Sequence, residues 1–442
     1  MNWKSWVILT GALILGGLIG VWQLSPRVLS HQPAEAELHG RQPLSVEFSQ
    51  AMNPASVEPG IKLTPPQAGE LTWNEDFDQI TFTPSETWPA GQSVALEINK
   101  GIRSSIWLPM LRAYRTTLQI SPYLLTYLWP AEGSSNLYAA NPESGESQAL
   151  TEEKNGVLDY FLPPDGLSII YSRSNEDGTS SILVLDRITS LRSILVDCRD
   201  GLCRFPQLSP DGTLLAYEFI SSEGGILPGI RVYNLNDQTI INPGAPNEYL
   251  ENPLWGSSGW LAFYNQTRKG YIFWQPVTEQ HIFLPNDTGG DGSWSPDGRY
   301  FICSQIQFTS QTLAPRHLIL FDTREEVILD LSDGSLLEDL NPSFSPIGAT
   351  LAYSRKSLDP QNWSPGRQLW VMDVNTGDNQ QLTDSVDHHH SSFTWHPDGE
   401  SLAFVRYNQA ALTEPPEIWL IDKDGTGKMR LIINGYAPGW IP

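Results

Sequence analysis

The feature that most limits what this chain can become is a five-residue corner written several times over. Trp294-Ser295-Pro296-Asp297-Gly298 recurs as Leu208-Ser209-Pro210-Asp211-Gly212 and as Trp395-His396-Pro397-Asp398-Gly399. Looser copies are Leu162-Pro163-Pro164-Asp165-Gly166 and Phe344-Ser345-Pro346-Ile347-Gly348, with a degraded one at Trp255-Gly256-Ser257-Ser258-Gly259. Proline presets φ at the second position of a type I turn and glycine relieves the last, so each copy is a corner between two strands. After each corner comes one apolar pattern: Leu215-Ala216-Tyr217, Leu261-Ala262-Phe263, Leu351-Ala352-Tyr353, Leu402-Ala403-Phe404. A unit repeated every 40–50 residues or so points to a solenoid or a propeller.

The full unit reads as four strands: one into the corner, one carrying Leu-Ala-Tyr, a third ending in an acid or amide, and a fourth. Third strands are expected at 182–186, 230–234, 271–274, 318–322, 369–373 and 418–422, and four antiparallel strands make one propeller blade. Residues 124–150 supply three strands with no first strand before them. Ala437-Pro438-Gly439-Trp440-Ile441-Pro442 supplies a first strand with nothing after it. Six whole units and one split between the ends predict seven blades, with 435–442 closing the first and hiding two sheet edges. Departures at Ile347 and at Ser257-Ser258 predict altered corners in the sixth and fourth blades.

This repeat resembles the periplasmic TolB-like, WD-type propeller family over residues 121–442. The resemblance implies a propeller, and relatives of that kind serve as protein-interaction platforms, as gating domains of prolyl-oligopeptidase-type enzymes, or as lyases. Upstream, residues 43–120 alternate apolar and polar in short runs such as Leu44-Ser45-Val46-Glu47-Phe48, as half-buried strands do. Ser45 through Val57, then Phe82-Thr83-Pro84 and Pro89-Ala90-Gly91, resemble the bacterial Ig-like domains of surface and cell-wall proteins. That resemblance implies a small sandwich acting as a spacer. Residues 25–42, rich in Pro, Ser, His and Ala, read as a tether.

From Trp6 to Trp22 the sequence is uncharged and mostly apolar, with Trp at both edges. Seventeen helical residues cover roughly 25 Å, at the short end of a membrane span. Residues 1–24 therefore read as a cytoplasmic stub and transmembrane anchor. The rival is a cleaved signal peptide, but the one Ala-x-Ala, at 34–36, lies far downstream. No cysteine follows the run to take a lipid. The expected fold class is thus all-β: a seven-bladed propeller preceded by an Ig-like sandwich and one N-terminal transmembrane helix, the bulk lying outside the cytoplasm.

A formal charge of −23 argues against nucleic acid and anionic membrane as partners of the surface, since both need basic patches. The hydrolase signatures Gly-x-Ser-x-Gly and His-Glu-x-x-His are absent from the sequence. The sharpest cluster is His388-His389-His390 after Asp387, placed between the last strand of one blade and the first of the next. Equivalent loops carry Asp159, Glu251, Asp291 and Asp339. Together they form a prospective acidic ring at the tunnel mouth able to hold Ca²⁺ or another divalent cation, with Asp387, His388 and His390 as candidate metal ligands. Neighbouring residues of a strand point to opposite faces, so at most two histidines can share an ion. The plainer alternative is a solvated polar loop.

Cys198 and Cys203 flank Arg199-Asp200-Gly201-Leu202 and, in an exported chain, would pair; Cys303 reads as a core residue. Most of the sixteen Trp fall at repeat-equivalent places and read as packing between blades, whereas Trp363 and Trp107 do not. Trp363 joins the candidate ligand-binding set. The sequence therefore leads us to expect a non-enzymatic, membrane-anchored scaffold with no required cofactor, presenting a propeller face to an envelope protein or glycan. Two other readings are a metal-dependent polysaccharide lyase at the tunnel mouth and the sensory ectodomain of a membrane complex.

Overall fold

A Ser-Pro-Asp-Gly corner holds because its serine is used twice. Ser209 Oγ accepts the Leu214 N–H at 2.9 Å and donates to Asp211 at 2.6 Å, and Asp211 in turn accepts the Thr213 N–H at 3.1 Å. Gly212 takes φ +73°, in the left-handed region that favours glycine. Ser295 and Asp297 repeat the arrangement with Tyr300 and Arg299. Where the motif decays the corner changes its bonds. In the fourth blade Gly256 N–H donates to Trp260, and in the sixth Ile347 N–H turns to Ser345 Oγ, yet Gly259 and Gly348 keep positive φ.

The computed structural model describes residues 24–34, 37–308, 314–332, 334 and 336–442. Contacts divide it into two units, one essentially the N-terminal 123 residues and the other the rest. In the larger unit the described residues form seven four-stranded antiparallel sheets. Six are built from consecutive strands, with inner strands Val157–Phe161, Gly201–Leu208, Leu250–Trp255, Gly292–Trp294, Leu337–Phe344 and His388–Trp395. The first blade takes its inner strand from Tyr436–Ile441, which pairs antiparallel with Leu124–Trp129, Trp440 opposite Leu125. Inner strands of successive blades lie side by side, and Tyr160 Oη donating to the Ala437 carbonyl at 2.5 Å joins the second blade to the first. The cycle is closed, as in a β-propeller.

Leu-Ala-Tyr is the packing rule of this ring. Alternate residues of a strand face opposite sides, so Leu215 and Tyr217 pack with Ile170 and Ile182 of the second blade. Ala216 faces the fourth blade, against Leu261 and Phe263. The sixth blade repeats this: Leu351 and Tyr353 meet Ile302 and Leu318, while Ala352 meets Trp395 and Phe404. A small residue on one face and large ones on the other let neighbouring sheets interdigitate. Each fully buried leucine or aromatic contributes about 2–3 kcal/mol.

The smaller unit is a two-sheet sandwich. Val28–Gln32, Leu44–Phe48, Gln79–Pro84 and Gly69–Trp73 form one sheet, and Ile61–Thr64, Ser93–Ile98 and Tyr114–Gln119 the other. Phe48, Ile80, Trp88, Val94 and Leu96 fill the space between, and Trp88 Nε1 donates to the Gln42 carbonyl at 2.8 Å. The expected tether at 25–42 is corrected here. Val28–Gln32 is an edge strand paired with Leu44–Phe48, and Leu38 is fully buried in the sandwich core. Its polar sequence, VLSHQ, is only partly buried, so it carries no alternation to betray it.

The proposed membrane span, Trp6–Trp22, lies outside the described residues. Among those described, no helix is long and apolar enough to cross a membrane.

Candidate functional site

Five inner strands carry the same distortion three residues before the first residue of their corner. Phe205, Asn252, Asn341, Ser392 and Ala437 have φ between +49° and +56°, each at a break in pairing register with the next strand. Such a bulge tips the strand and frees backbone amides from the ladder. In the second and fifth blades the equivalent positions are Asp159 and Asp291.

Asp159 has the most unusual surroundings of these positions. It is buried beside Ser172, the Phe205 N–H and Arg204, whose Nε lies 3.4 Å from Oδ2. Burial outweighs these partners and holds its carboxyl above the usual range. The Arg204 guanidinium also lies over the Phe205 ring, 4.7 Å from its centroid. Next to this group opens a cavity of about 590 Å³, bounded by inner strands of the first, second, third and seventh blades. Asp159, Arg204, Phe205 and Thr394 line it, with Tyr436 to Trp440 of the closing strand.

Trp440 differs from its counterparts. In other blades the corner tryptophan donates its indole N–H to the inner strand of the blade before: Trp255 to Gln207, Trp294 to Leu254 and Trp395 to Ser343, at 2.9–3.1 Å. The matching acceptor for Trp440 would be the Thr394 carbonyl. Instead Trp440 Nε1 is buried with no acceptor among the described residues, and its ring meets His396 edge-on at 4.7 Å. A buried donor without a partner carries a desolvation cost that a ligand acceptor would remove.

The histidines do not gather as the metal reading requires. His388 to His390 begin the inner strand rather than lying in the preceding loop. His388 Nε2 accepts from Arg406 at 2.9 Å, leaving Nδ1–H to donate to Ser385 Oγ at 2.8 Å. Burial and the Arg406 charge push its pKa down. His390 is buried, donates Nδ1–H to the Arg367 carbonyl at 2.8 Å, and is pushed down to about 4 by burial. His389 is likewise pushed down to about 4. A guanidinium thus occupies the lone pair that an ion would need on His388.

The acidic ring is also dispersed. Asp339 is fully buried and gives both oxygens to Arg355 at 2.7 and 2.8 Å, with Ser332 Oγ donating at 2.7 Å. Glu251 is partly buried and accepts from Gln266 at 2.8 Å; Asp291 and Asp387 are exposed. Among the described residues no three His, Cys, Asp or Glu side chains are placed to hold a metal ion. Among the described residues the expected cation ring is therefore not assembled: Asp339, Asp159 and Glu251 are taken up by Arg355, Arg204 and Gln266, and Asp291 and Asp387 stand exposed and are not gathered with them. Trp363 is exposed with Lys356 Nζ 4.5 Å from its ring, well separated in the fold from Asp159 on the sixth blade's outer loop.

Two features escaped the sequence reading. Glu218 is buried opposite Arg204 with its pKa raised by burial and by the Glu251 charge. It stands where other repeats have Ser172, Ser304 and Ser354, a break in the Leu-Ala-Tyr-Ser pattern that could have exposed it. Arg173, Arg355 and Arg406 are repeat-equivalent too, and each pairs with an acid: Glu153, Asp339 and Glu417. Cys198 and Cys203 are joined as a disulfide with Cα atoms 6.2 Å apart, and Cys303 is a buried free thiol.

Comparison with known proteins adds family context. Residues 23–110 match the bacterial Ig-like domain, and the N-terminal unit is of that kind. Over 148 residues the chain is 26% identical to dipeptidyl-peptidase 5 of Porphyromonas gingivalis, a match covering 33% of this chain and 21% of that enzyme's length. Among solved structures, TolB from Acinetobacter baumannii aligns with TM-score 0.46 at 15% identity, covering 87% of this chain and 83% of the other. A prolyl endopeptidase aligns with TM-score 0.50 at 12% identity, covering 76% and 49% respectively.

Proposed function

We propose that this chain is a non-enzymatic binding protein, anchored in a membrane by its N-terminal apolar stretch, which receives a segment of an envelope protein in the cavity beside Asp159. The unsatisfied indole N–H of Trp440 carries this reading, since it lies at a wall where every equivalent tryptophan is bonded. A small shift of the indole on binding would bring its N–H, closed to water in the free chain, onto a peptide carbonyl or carboxylate, and Arg204 stands ready for a second acceptor. Phe205 and Tyr436 give the segment an apolar surface.

The non-catalytic character is supported by how the reactive groups are spent. His388, His390 and Asp339 are each committed to internal partners. Export is supported by the disulfide, a bond that persists in oxidising compartments.

The test is a photo-crosslinking residue at Thr394 of the full chain in its own envelope. A defined protein adduct, lost on Arg204→Glu and on Trp440→Phe, is expected. A polysaccharide adduct would move the ligand to the glycan class. Turnover of an envelope polymer abolished by the same substitutions would overturn the non-enzymatic reading.

A further inference from the structure

One end of the Ig-like unit exposes large apolar side chains that its own sandwich does not use. Leu24 is 62% exposed, Ile106 68%, Trp107 65%, Phe77 45% and Leu111 45%. Backbone contacts bring their segments together. Ser25 Oγ donates to the Pro109 carbonyl, Ser49 N–H to Arg27, Ser105 N–H to Ala51 and Met52 N–H to Phe77. A cavity of about 420 Å³ opens between Ser25–Val28 and Met110–Tyr114 in the same region.

The two aromatics are held in an unusual way. Phe77 has φ +55° and Trp107 φ +68°, positions in tight turns where glycine would be at ease. The turns close through Phe77 N–H to Asn74 and Trp107 N–H to Ser104. Neither ring enters the sandwich core: Trp107 stands out from it, and Phe77 reaches only Trp73 on its rim, centroid to centroid 6.3 Å. Arg103 lies over the Trp107 ring at 5.3 Å, and Arg27 and Arg112 flank the cavity, while Glu75 and Asp76 share the Phe77 turn. A tryptophan capped by a guanidinium suits the boundary between acyl chains and phosphate headgroups.

The chain also enters the unit at this end. Leu24 follows the uncharged run from Trp6 to Trp22 with one residue, Gln23, between. We propose that the end of the Ig-like unit bearing Phe77, Ile106, Trp107 and Leu111 rests in the headgroup layer of the membrane, as a second, interfacial attachment beside the anchor. This rests on the anchor reading above. It makes the unit a foot planted on the bilayer, with the two turn tips as its contacts. One short span followed at once by an interfacial patch fixes orientation as well as attachment, because a single helix leaves rotation free.

The test uses the full chain in phosphatidylcholine vesicles. An environment-sensitive fluorophore is placed at Ile106→Cys and, for control, at Ser190→Cys in the propeller. The expected result is blue-shifted emission, quenched by brominated lipid, at 106 and not at 190. Phe77→Gly with Trp107→Gly, which relieves both turns and so retains the fold, should return the 106 probe to aqueous emission. Aqueous emission at 106 while the chain stays with the vesicles overturns the proposal. Release of the chain by alkaline carbonate overturns the anchor reading instead, and a 106 probe shifted before that wash still supports the patch.

Discussion

Trp395 donates its indole N–H to the carbonyl of Ser343, 2.9 Å away on the inner strand of the preceding blade, while Trp440 at the same place in its own repeat donates to nothing described. Two chemically identical side chains thus have different duties. Trp395→Phe should lower stability by about 1 kcal/mol through the lost hydrogen bond, with a little more from lost contact area. Trp440→Phe should leave the melting temperature nearly unchanged, since it removes an unsatisfied donor. Thermal unfolding followed by near-ultraviolet circular dichroism separates the two.

Arg355 and Asp339 form a two-toothed ion pair shut away from water. Removing one partner strands the other charge. Asp339→Ala should cost roughly 3–5 kcal/mol, and Arg355→Ala a similar amount. The double replacement Asp339→Leu with Arg355→Met should recover much of that loss. Urea midpoints of the three variants check this.

His390 is neutral in the fold, with its pKa near 4 against an ordinary 6.5. The unfolded chain therefore binds a proton that the folded chain refuses. Stability from this residue is complete above pH 6.5 and falls by roughly 1.4 kcal/mol per unit as pH drops toward 4. Asp159 and Glu218, whose pKa values are raised, act in the opposite sense and gain stability on acidification. To isolate the histidine, the stability difference between wild type and His390→Gln is measured at pH 7.5 and pH 5. It should shrink at the lower value; a constant difference would show that His390 does not titrate in this way.

The Cys198–Cys203 bridge closes a very short loop between the second and third blades. Cys198→Ala with Cys203→Ala should cost about 2 kcal/mol by the chain-entropy relation. Both sulfurs are buried, so mild reductant on the wild type should act slowly. Differential calorimetry of variant and wild type gives the magnitude, and alkylation with mass analysis gives the rate.

Much of the propeller was open to reading because its instructions are local and repeated. Ser209 and Asp211 make their corner from bonds within six residues, and Ala216 is small because a neighbouring sheet presses on it at every turn of the ring. The site was far less legible. Asp339 and His390 carry side chains of chemical promise, but Arg355 and the Arg367 carbonyl, distant in sequence, decide that these groups stay structural. Asp159 was identified as a candidate and Arg204 was not, since the cavity that makes them matter is assembled from four separate blades. Val28–Gln32 escaped because a short edge strand broken by a register shift, with no fully buried side chain, shows no clean period.

The pairing of Tyr436–Ile441 with Leu124–Trp129 has a consequence for synthesis. A ribosome makes the edge at 124–129 some three hundred residues before its mate, so the nascent circle must remain agape while the other sheets assemble. During that interval the bare edge is a template for any passing strand. Loss of the last few residues of this pairing would leave translation otherwise intact and the molecule permanently unlatched.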